Sequence, residues 1–302
     1  MNPVDIESLY RELRPYGFAI AYRMLGSVSE AEDVVQEAFV RLSHTRTDEI
    51  DNPKAYLATI TTRLAIDELR SARSQRETYF GPWLPEPLVN EHAADVADAA
   101  EAAESLTMAF LVVLEKLSPV ERAVFLMREV FDYDYDDIAR IVGKSQANCR
   151  QLARRARHRI ERGKPRFEVS REEQAELAGR FFAACQDGDM NELVALLASN
   201  AAFYGDGGSK GTGVPHPVYG RDQVARLLLG LFRFAHRLGV QLRAAEVNGQ
   251  PGARCLDPAG GLINVLSLDI ADGAVQTVRS IVNPDKLRHL GPLSPIGRRS
   301  GV

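Results

Sequence analysis

The sequence predicts a multidomain fold: two small all-α domains, the second carrying a helix-turn-helix, followed by an α+β domain. Three observations predict it. The chain has 302 residues, about twice a common single-domain length, so two or three compact domains are expected. Apolar residues recur at three- and four-residue steps to about residue 164, interrupted once by a proline-rich stretch. After residue 239 the pattern changes to short strand-like runs separated by Asn248-Gly249 and Asp272-Gly273, both hairpin turn signals.

Each element has its own justification. In the first helix Ile6, Leu9, Leu13, Tyr16, Ile20 and Met24 form one face, with Pro15 and Gly17 marking a break or kink. Ser29 and Glu32 have capping-box spacing and would open a second helix through Val34, Val35, Ala38, Phe39 and Leu42. A third starts near Asn52-Pro53, buries Leu57, Ile60 and Leu64, and ends in basic Arg70, Arg73 and Arg76. These make a domain over 1–80. Residues 81–104 read as a linker. Gly81-Pro82-Trp83-Leu84-Pro85-Glu86-Pro87 cannot be helix or central strand, and Glu91, Asp95, Asp98, Glu101 and Glu104 follow without Lys or Arg. A second helical domain spans 105–165, with helices at 119–131 (opened by Ser118-Pro119), 134–142 and 145–162. The third spans 168–290: helices at 171–186, 189–198 and 221–238, a glycine-rich loop from Asp206 to Lys210, and strands at 240–247, 253–257, 261–270 and 274–282. Residues 291–302 read as a disordered tail.

Composition narrows the function. Hydrophobic residues make up 45% and charged residues 26%, a balance ordinary for soluble domains. No run approaches the roughly eighteen apolar residues of a membrane helix. The opening MNPVDIESLY is too acidic and polar for a signal peptide, so a cytoplasmic protein without membrane contact is expected. Cys149, Cys185 and Cys255 are scattered, with no histidine at ligand spacing, which fits buried reduced thiols; neither a metal nor a cofactor is expected. The formal net charge of −4 hides a local bias. Residues 145–166 hold seven Arg and one Lys against one Glu, a net of +7, which leaves −11 for the rest. One basic block on an acidic chain points to a polyanion contacted at one place.

That block belongs to the helix-turn-helix. Tyr135 to Val142 forms a short helix, Gly143 the turn and Ser145 the cap of a second helix. On the second helix Cys149, Leu152, Ala153, Ala156 and Ile160 fall in one stripe that must face the core. Arg150, Arg154 and Arg157 lie opposite, with Arg155, Arg159 and Arg162 beside them, a density of charge that calls for an anion. Ser145, Gln146, Asn148, Arg150 and Gln151 are placed to meet base edges in a major groove, the later arginines, Arg154 and Arg155 among them, to hold phosphates.

The rest of the first 164 residues carries a family resemblance. Ala31-Glu32-Asp33-Val34-Val35-Gln36-Glu37-Ala38-Phe39 resembles the helix by which extracytoplasmic-function sigma factors dock on core RNA polymerase. Pro53-Lys54-Ala55-Tyr56-Leu57 through Leu64-Ala65-Ile66-Asp67-Glu68-Leu69-Arg70 resembles their −10 promoter-reading helix, and the helix-turn-helix their −35-reading domain. The resemblance implies two all-α sigma domains, with core RNA polymerase and promoter DNA as partners. Asp33, Gln36 and Glu37 would contact polymerase; Arg63, Asp67 and Arg70 would contact melted −10 DNA, although the family usually has Asn where this chain has Arg63. Trp83-Leu84-Pro85-Glu86-Pro87 resembles the subgroup with a fused SnoaL-like, cone-shaped α+β domain. So do the loop Asp206-Gly207-Gly208-Ser209-Lys210, with Ser209 in place of a third glycine, and Asn283-Pro284-Asp285-Lys286. In that subgroup the cone domain regulates the sigma domains, and Trp83 with its prolines is expected to dock near the glycine loop and Asn283–Lys286.

Two rival readings of the last domain stay open. Relatives of the cone include cyclases and isomerases that use a buried Asp as general base, but counting seven residues from Gly273 reaches Ser280, preceded by Arg279. A serine without a partner histidine cannot be that base, so no enzyme is expected. The alternative is a helix-turn-helix regulator whose cone domain is a cyclase- or isomerase-like enzyme or a sensor of a small-molecule ligand.

Overall fold

The computed structural model describes residues 6–45, 50, 52–77, 79–90, 106–161 and 170–297. The chain falls into two compact units, Met1–Thr78 with Phe110–Lys164, and Tyr79–Ala109 with Pro165–Val302. The segment expected to be a linker therefore belongs with the C-terminal unit. Most of its acidic part, 91–104, lies outside the described residues, as do Arg162 and residues 298–302 of the tail.

In the first unit α1 (Ile6–Leu25), α2 (Val28–His44) and α3 (Pro53–Glu77) pack together. The expected break in α1 does not occur. Pro15 lies inside a continuous helix, on its exposed side, where the carbonyl it leaves unbonded can meet water. Gly17 is buried where α1 meets α2 and α3; a Cβ there would lie 3.4 Å from Leu57 and 3.5 Å from Val35, ordinary contact distances. The cap of α2 is Ser27, not Ser29; its hydroxyl accepts from the Glu30 N–H at 3.2 Å. Ser29 already lies inside the helix.

From Phe110 the unit takes in the rest of α4 (Met108–Leu114), then α5 (Pro119–Glu129), α6 (Tyr135–Val142) and α7 (Gln146–Glu161). Ser118 and Glu121 form a reciprocal capping box at the start of α5. Asp134 accepts from the N–H groups of Asp136 and Asp137 at 2.9 Å, a cap worth about 1 kcal/mol. Gly143 ends α6 in the left-handed conformation (φ 65°), which is what turns the chain sharply into α7.

The second unit holds α8 (Arg171–Asp187), α9 (Met190–Leu196) and α10 (Arg221–Arg237) against a seven-stranded sheet of order β1-β4-β5-β6-β7-β2-β3. The strands are β1 (Val89–Asn90), β2 (Leu197–Asp206), β3 (Val218–Tyr219), β4 (Gln241–Val247), β5 (Gln250–Leu256), β6 (Leu262–Ala271) and β7 (Ala274–Ile281). β4 to β7 form antiparallel hairpins through the two predicted turns, where Asn248-Gly249 and Asp272-Gly273 all have positive φ, as primed turns require. β2 was not expected. Its small residues Ala198 to Ala202 show no alternation, and it is held by parallel pairing to β7, a non-local contact. Phe181, Leu193, Phe203, Leu228, Leu268 and Val278 make the core between helices and sheet; full burial of each such side chain contributes about 1.5–3 kcal/mol.

The tail also differs from expectation as far as Gly297. Leu262 donates its N–H to the Pro292 carbonyl at 2.9 Å, Ser294 donates to Leu262 at 2.9 Å, and Thr212 donates to Gly297 at 2.8 Å. Ser294 is buried, and these strand-like bonds order a short stretch that carries no apolar periodicity of its own.

Candidate nucleic-acid interface and linker clamp

The predicted apolar stripe of α7 is buried: Cys149, Leu152, Ala153, Ala156 and Ile160 all face the core. Ser145 caps the helix by accepting from the Asn148 N–H at 3.2 Å. Asn148, Arg150, Gln151 and Arg154 are exposed, on the side and end of α7 away from that stripe. Gln146 is held in place, donating to Asp136 at 2.9 Å and accepting from Arg150 at 3.1 Å, while the Arg150 guanidinium also lies 5.4 Å from the Tyr135 ring centre.

The expectation that this charge needs an external anion is corrected in part. Arg159 and Arg155 approach Glu121 at 3.0 and 4.0 Å, and Arg157 donates to Glu129 at 2.6 Å. Helix α5 thus supplies two carboxylates to the far half of α7, which leaves Arg150 and Arg154 as the outward pair among the described residues. Burial pushes the Glu121 carboxyl up, but the Ser118 N–H and hydroxyl, with Arg159 and Arg155, outweigh it and hold it below the usual carboxylate range.

On α2, Asp33, Gln36 and Glu37 are exposed on one face together with Val40, which is 45% exposed and extends that acidic face with an apolar end. Glu37 is paired with Arg41 at 2.8 Å and neighbouring Glu32 with Arg14 at 2.9 Å, both at the surface. On α3, Asp67 pairs with Arg70 at 3.1 Å, one turn on. Arg63 turns elsewhere: it donates to the carbonyls of Ile141 at 2.9 Å and Arg140 at 2.8 Å, the C-terminal end of α6 in the helix-turn-helix. A cation on carbonyls at a helix C-terminus is favourable both as a charge-assisted bond and toward the helix dipole.

The residues grouped in the third domain meet at one point. Asp206, at the end of β2 and fully buried, accepts from the Leu84 N–H at 2.8 Å, from Lys286 at 2.7 Å and from the Tyr79 hydroxyl. Lys286 donates also to the Leu84 carbonyl, and its ammonium lies 4.2 Å from the Trp83 ring centre and 4.8 Å from that of Tyr79. Two aromatic faces and a carboxylate thus replace the water this buried cation gives up. Tyr79 also accepts from Asn283 at 2.7 Å, and burial followed by the Asp206 carboxylate raises its pKa. Leu84, Pro85, Glu86 and Pro87 are buried; His289 lies 2.8 Å from the Pro87 carbonyl and 4.0 Å from Glu86.

Glycine is required at two positions of this clamp. A Cβ on Gly207 would lie 2.6 Å from the Gly213 nitrogen, and one on Gly208 (φ +54°) 2.7 Å from the Asn283 amide. Lys210 pairs at the surface with Asp285 at 2.8 Å, and Pro284 opens the short turn of 3₁₀ helix that Asn283 caps.

Three members of the clamp escaped sequence reasoning. Tyr79 fell outside the proline motif, His289 beyond the Asn283–Lys286 motif, and Asn248 read only as a turn residue. Asn248 donates its N–H to the Leu88 carbonyl at 2.8 Å, accepts from the Leu88 N–H at 3.0 Å and donates to Leu106 at 2.9 Å. It thereby seats β1 on the edge of β4. A side-chain amide mimicking backbone is legible only in hindsight.

Comparison with known proteins adds to this geometry. The family model Sigma-70 region 2 matches residues 9–75, and Sigma-70, region 4 matches 107–160. The chain is 37% identical over 294 residues to the ECF RNA polymerase sigma factor SigJ of Mycobacterium tuberculosis, covering 92% of each chain. It is 32% identical over 289 residues to the probable ECF RNA polymerase sigma factor SigI of the same species, covering 93% of this chain and 94% of that one. The crystal structure of SigJ superposes with a TM-score of 0.74 at 35% identity, over 95% of this chain and 99% of that one. Among the described residues no helix is long and apolar enough to cross a membrane.

Proposed function

The chain belongs to the extracytoplasmic-function sigma factors, subunits that bind core RNA polymerase and direct promoter-specific initiation of transcription, and from that premise we propose how its parts divide this work in the cytoplasm. The acidic face of α2, with Asp33, Gln36 and Glu37, docks on polymerase. Arg63, Asp67 and Arg70 of α3 engage melted −10 DNA. The start of α7, through Ser145, Gln146, Asn148, Arg150 and Gln151, reads the −35 element, while Arg154 and Arg155 hold its phosphates. Since Arg155 is shared with Glu121, Arg154 carries the larger part.

We infer that the C-terminal unit regulates these modules through the segment that joins them. One observation carries this: residues 79–90, which follow the −10 helix and precede the −35 domain, are anchored on Asp206, Lys286 and Asn248. The chain passes through the C-terminal unit on its way from one DNA-reading module to the other, so a change in that unit acts on both. Arg63 supplies a second element of control, because reaching DNA requires it to leave two backbone carbonyls.

The C-terminal unit works by binding rather than catalysis in this reading. The position of the expected general base carries Ser280, whose hydroxyl takes a hydrogen bond from Asn264 at 2.9 Å, and the buried Asp269 is neutralised by Arg279.

Run-off transcription with core polymerase tests the proposal, comparing the full chain with chains ending at 165 and at 288. Specific transcripts are expected from the full chain, with a changed yield once Asp206 and Lys286 are removed. The absence of a specific transcript from all three would refute the assignment. Finer roles separate by substitution. Arg154→Ala is expected to weaken binding equally on matched and mismatched −35 sequences and to reduce the salt slope by about 1. Asn148→Ala is expected to cost about 1–3 kcal/mol of discrimination at a single base pair. Titrations across salt and a set of single-base variants read both.

A further inference from the structure

We propose that the C-terminal unit binds a neutral, predominantly apolar small molecule in the cavity between its sheet and α8 and α10, with one hydrogen-bonding end of the ligand on Asn264 and Ser280. The cavity has a volume of 470 Å³. That is about three times the ~150 Å³ apolar void that takes up one benzene, and it lies within the ~300–1,000 Å³ of small-molecule sites. Phe203, Leu228, Phe232, Leu242 and Leu266 supply much of its wall, and among the described residues no Asp, Glu, Lys or Arg lines it. The imidazole on its wall, His236, is exposed. The Cys255 thiol adds no charge, because burial pushes its pKa up to about 12. An ion entering such a space would shed water and find no counter-charge, so the site selects neutral molecules.

The polar pair sets the orientation. Asn264 donates to the Ser280 hydroxyl at 2.9 Å, which occupies an acceptor site on the serine. The serine O–H and the Asn264 carbonyl are left as one donor and one acceptor for a ligand such as a phenol, alcohol or ketone. The outer lip points the same way. Leu231, Phe234 and Leu238 line the cavity and are 39%, 55% and 37% exposed, three of the seven large hydrophobic side chains exposed among the described residues. An apolar ligand seated in the cavity would cover them. A cavity with a donor and an acceptor on its wall fits a small molecule better than a flat protein partner.

The test uses the purified full chain and two fluorophores that differ in charge, N-phenyl-1-naphthylamine and 8-anilinonaphthalene-1-sulfonate. Saturable binding of one neutral fluorophore per chain is expected, with the sulfonate about tenfold weaker or worse. Ala235→Trp, on the half-exposed turn of α10 that lines the cavity, fills the space and is expected to weaken the neutral probe at least ~10-fold. Gln186→Trp, from an exposed position on α8, gives the same reading independently should the first variant fold poorly. In displacement, 1-naphthol is expected to outcompete naphthalene about tenfold, and Asn264→Leu with Ser280→Ala to erase that preference. Unsaturable binding, equal affinity for the sulfonate, or indifference to both tryptophan variants would each overturn the proposal. None of these readouts involves transcription, so their failure leaves the sigma-factor assignment standing.

Discussion

Asp33→Lys combined with Glu37→Lys is expected to lower affinity for core RNA polymerase by about a hundredfold or more. Docking would then set two lysines where the partner expects carboxylates, and like charges across an interface cost several kcal/mol, with ~2.7 kcal/mol equal to a hundredfold. The fold is expected to survive. Both side chains are exposed, and the substitution breaks the surface ion pair of Glu37 with Arg41, worth about 0.3–0.5 kcal/mol. Helical content measured by circular dichroism should therefore stay unchanged. Glu12→Lys, on the exposed side of α1, controls for the change in net charge. Equilibrium titration of labelled protein with core enzyme reads the effect. An affinity within threefold of the unaltered chain would remove α2 from the docking surface.

Asp206→Ala is expected to destabilise the C-terminal unit by about 3–5 kcal/mol, because it leaves the buried Lys286 ammonium without its carboxylate. The Leu84 N–H and the Tyr79 hydroxyl are deprived of their acceptor at the same time. The loss should be local first. Amide hydrogen exchange in peptides covering 82–90 is expected to rise steeply, ahead of peptides from α1 to α3. Asp206→Leu with Lys286→Met removes both charges and is expected to recover the part of the loss that comes from the unpaired ammonium, while the Leu84 N–H and the Tyr79 hydroxyl stay without their acceptor. If Asp206→Ala left exchange at 82–90 unchanged, the clamp would not be what holds the segment. Transcription by the same variants separates stability from regulation: the double variant is expected to fold yet show altered promoter output, because Leu84 no longer has its polar anchors.

What was legible in advance depended on the range of the contacts. The helices of the first unit announce themselves through apolar positions three and four apart, and the two hairpins through Asn-Gly and Asp-Gly. Capping was misread by two residues, since Ser27 and Ser29 both precede a glutamate at the right distance and only packing decides between them. β2 was missed because its order comes from a partner strand some seventy residues later in the chain. The exposed acidic face of α2 was legible as a run of polar positions, but the exposure of Val40 beside it was not. In the clamp, the three short motifs were visible individually, whereas Tyr79, Asn248 and His289 carried no signal, as one side chain donating to a distant backbone leaves no periodicity behind.

By itself, the sequence determined the class of the protein: a helix-turn-helix with its basic helix, a helix with an acidic exposed face, and an α+β domain after them, all written in local spacing. Only the tertiary structure decided which charges are spent internally. It turned Arg63 onto the carbonyls of α6, gave Arg155, Arg157 and Arg159 to Glu121 and Glu129, and buried Lys286 between two rings and Asp206. The physical reason is reach. Periodicity reports which face of an element avoids water, but the partner of a long charged side chain is whatever the fold brings within about 3 Å of its tip.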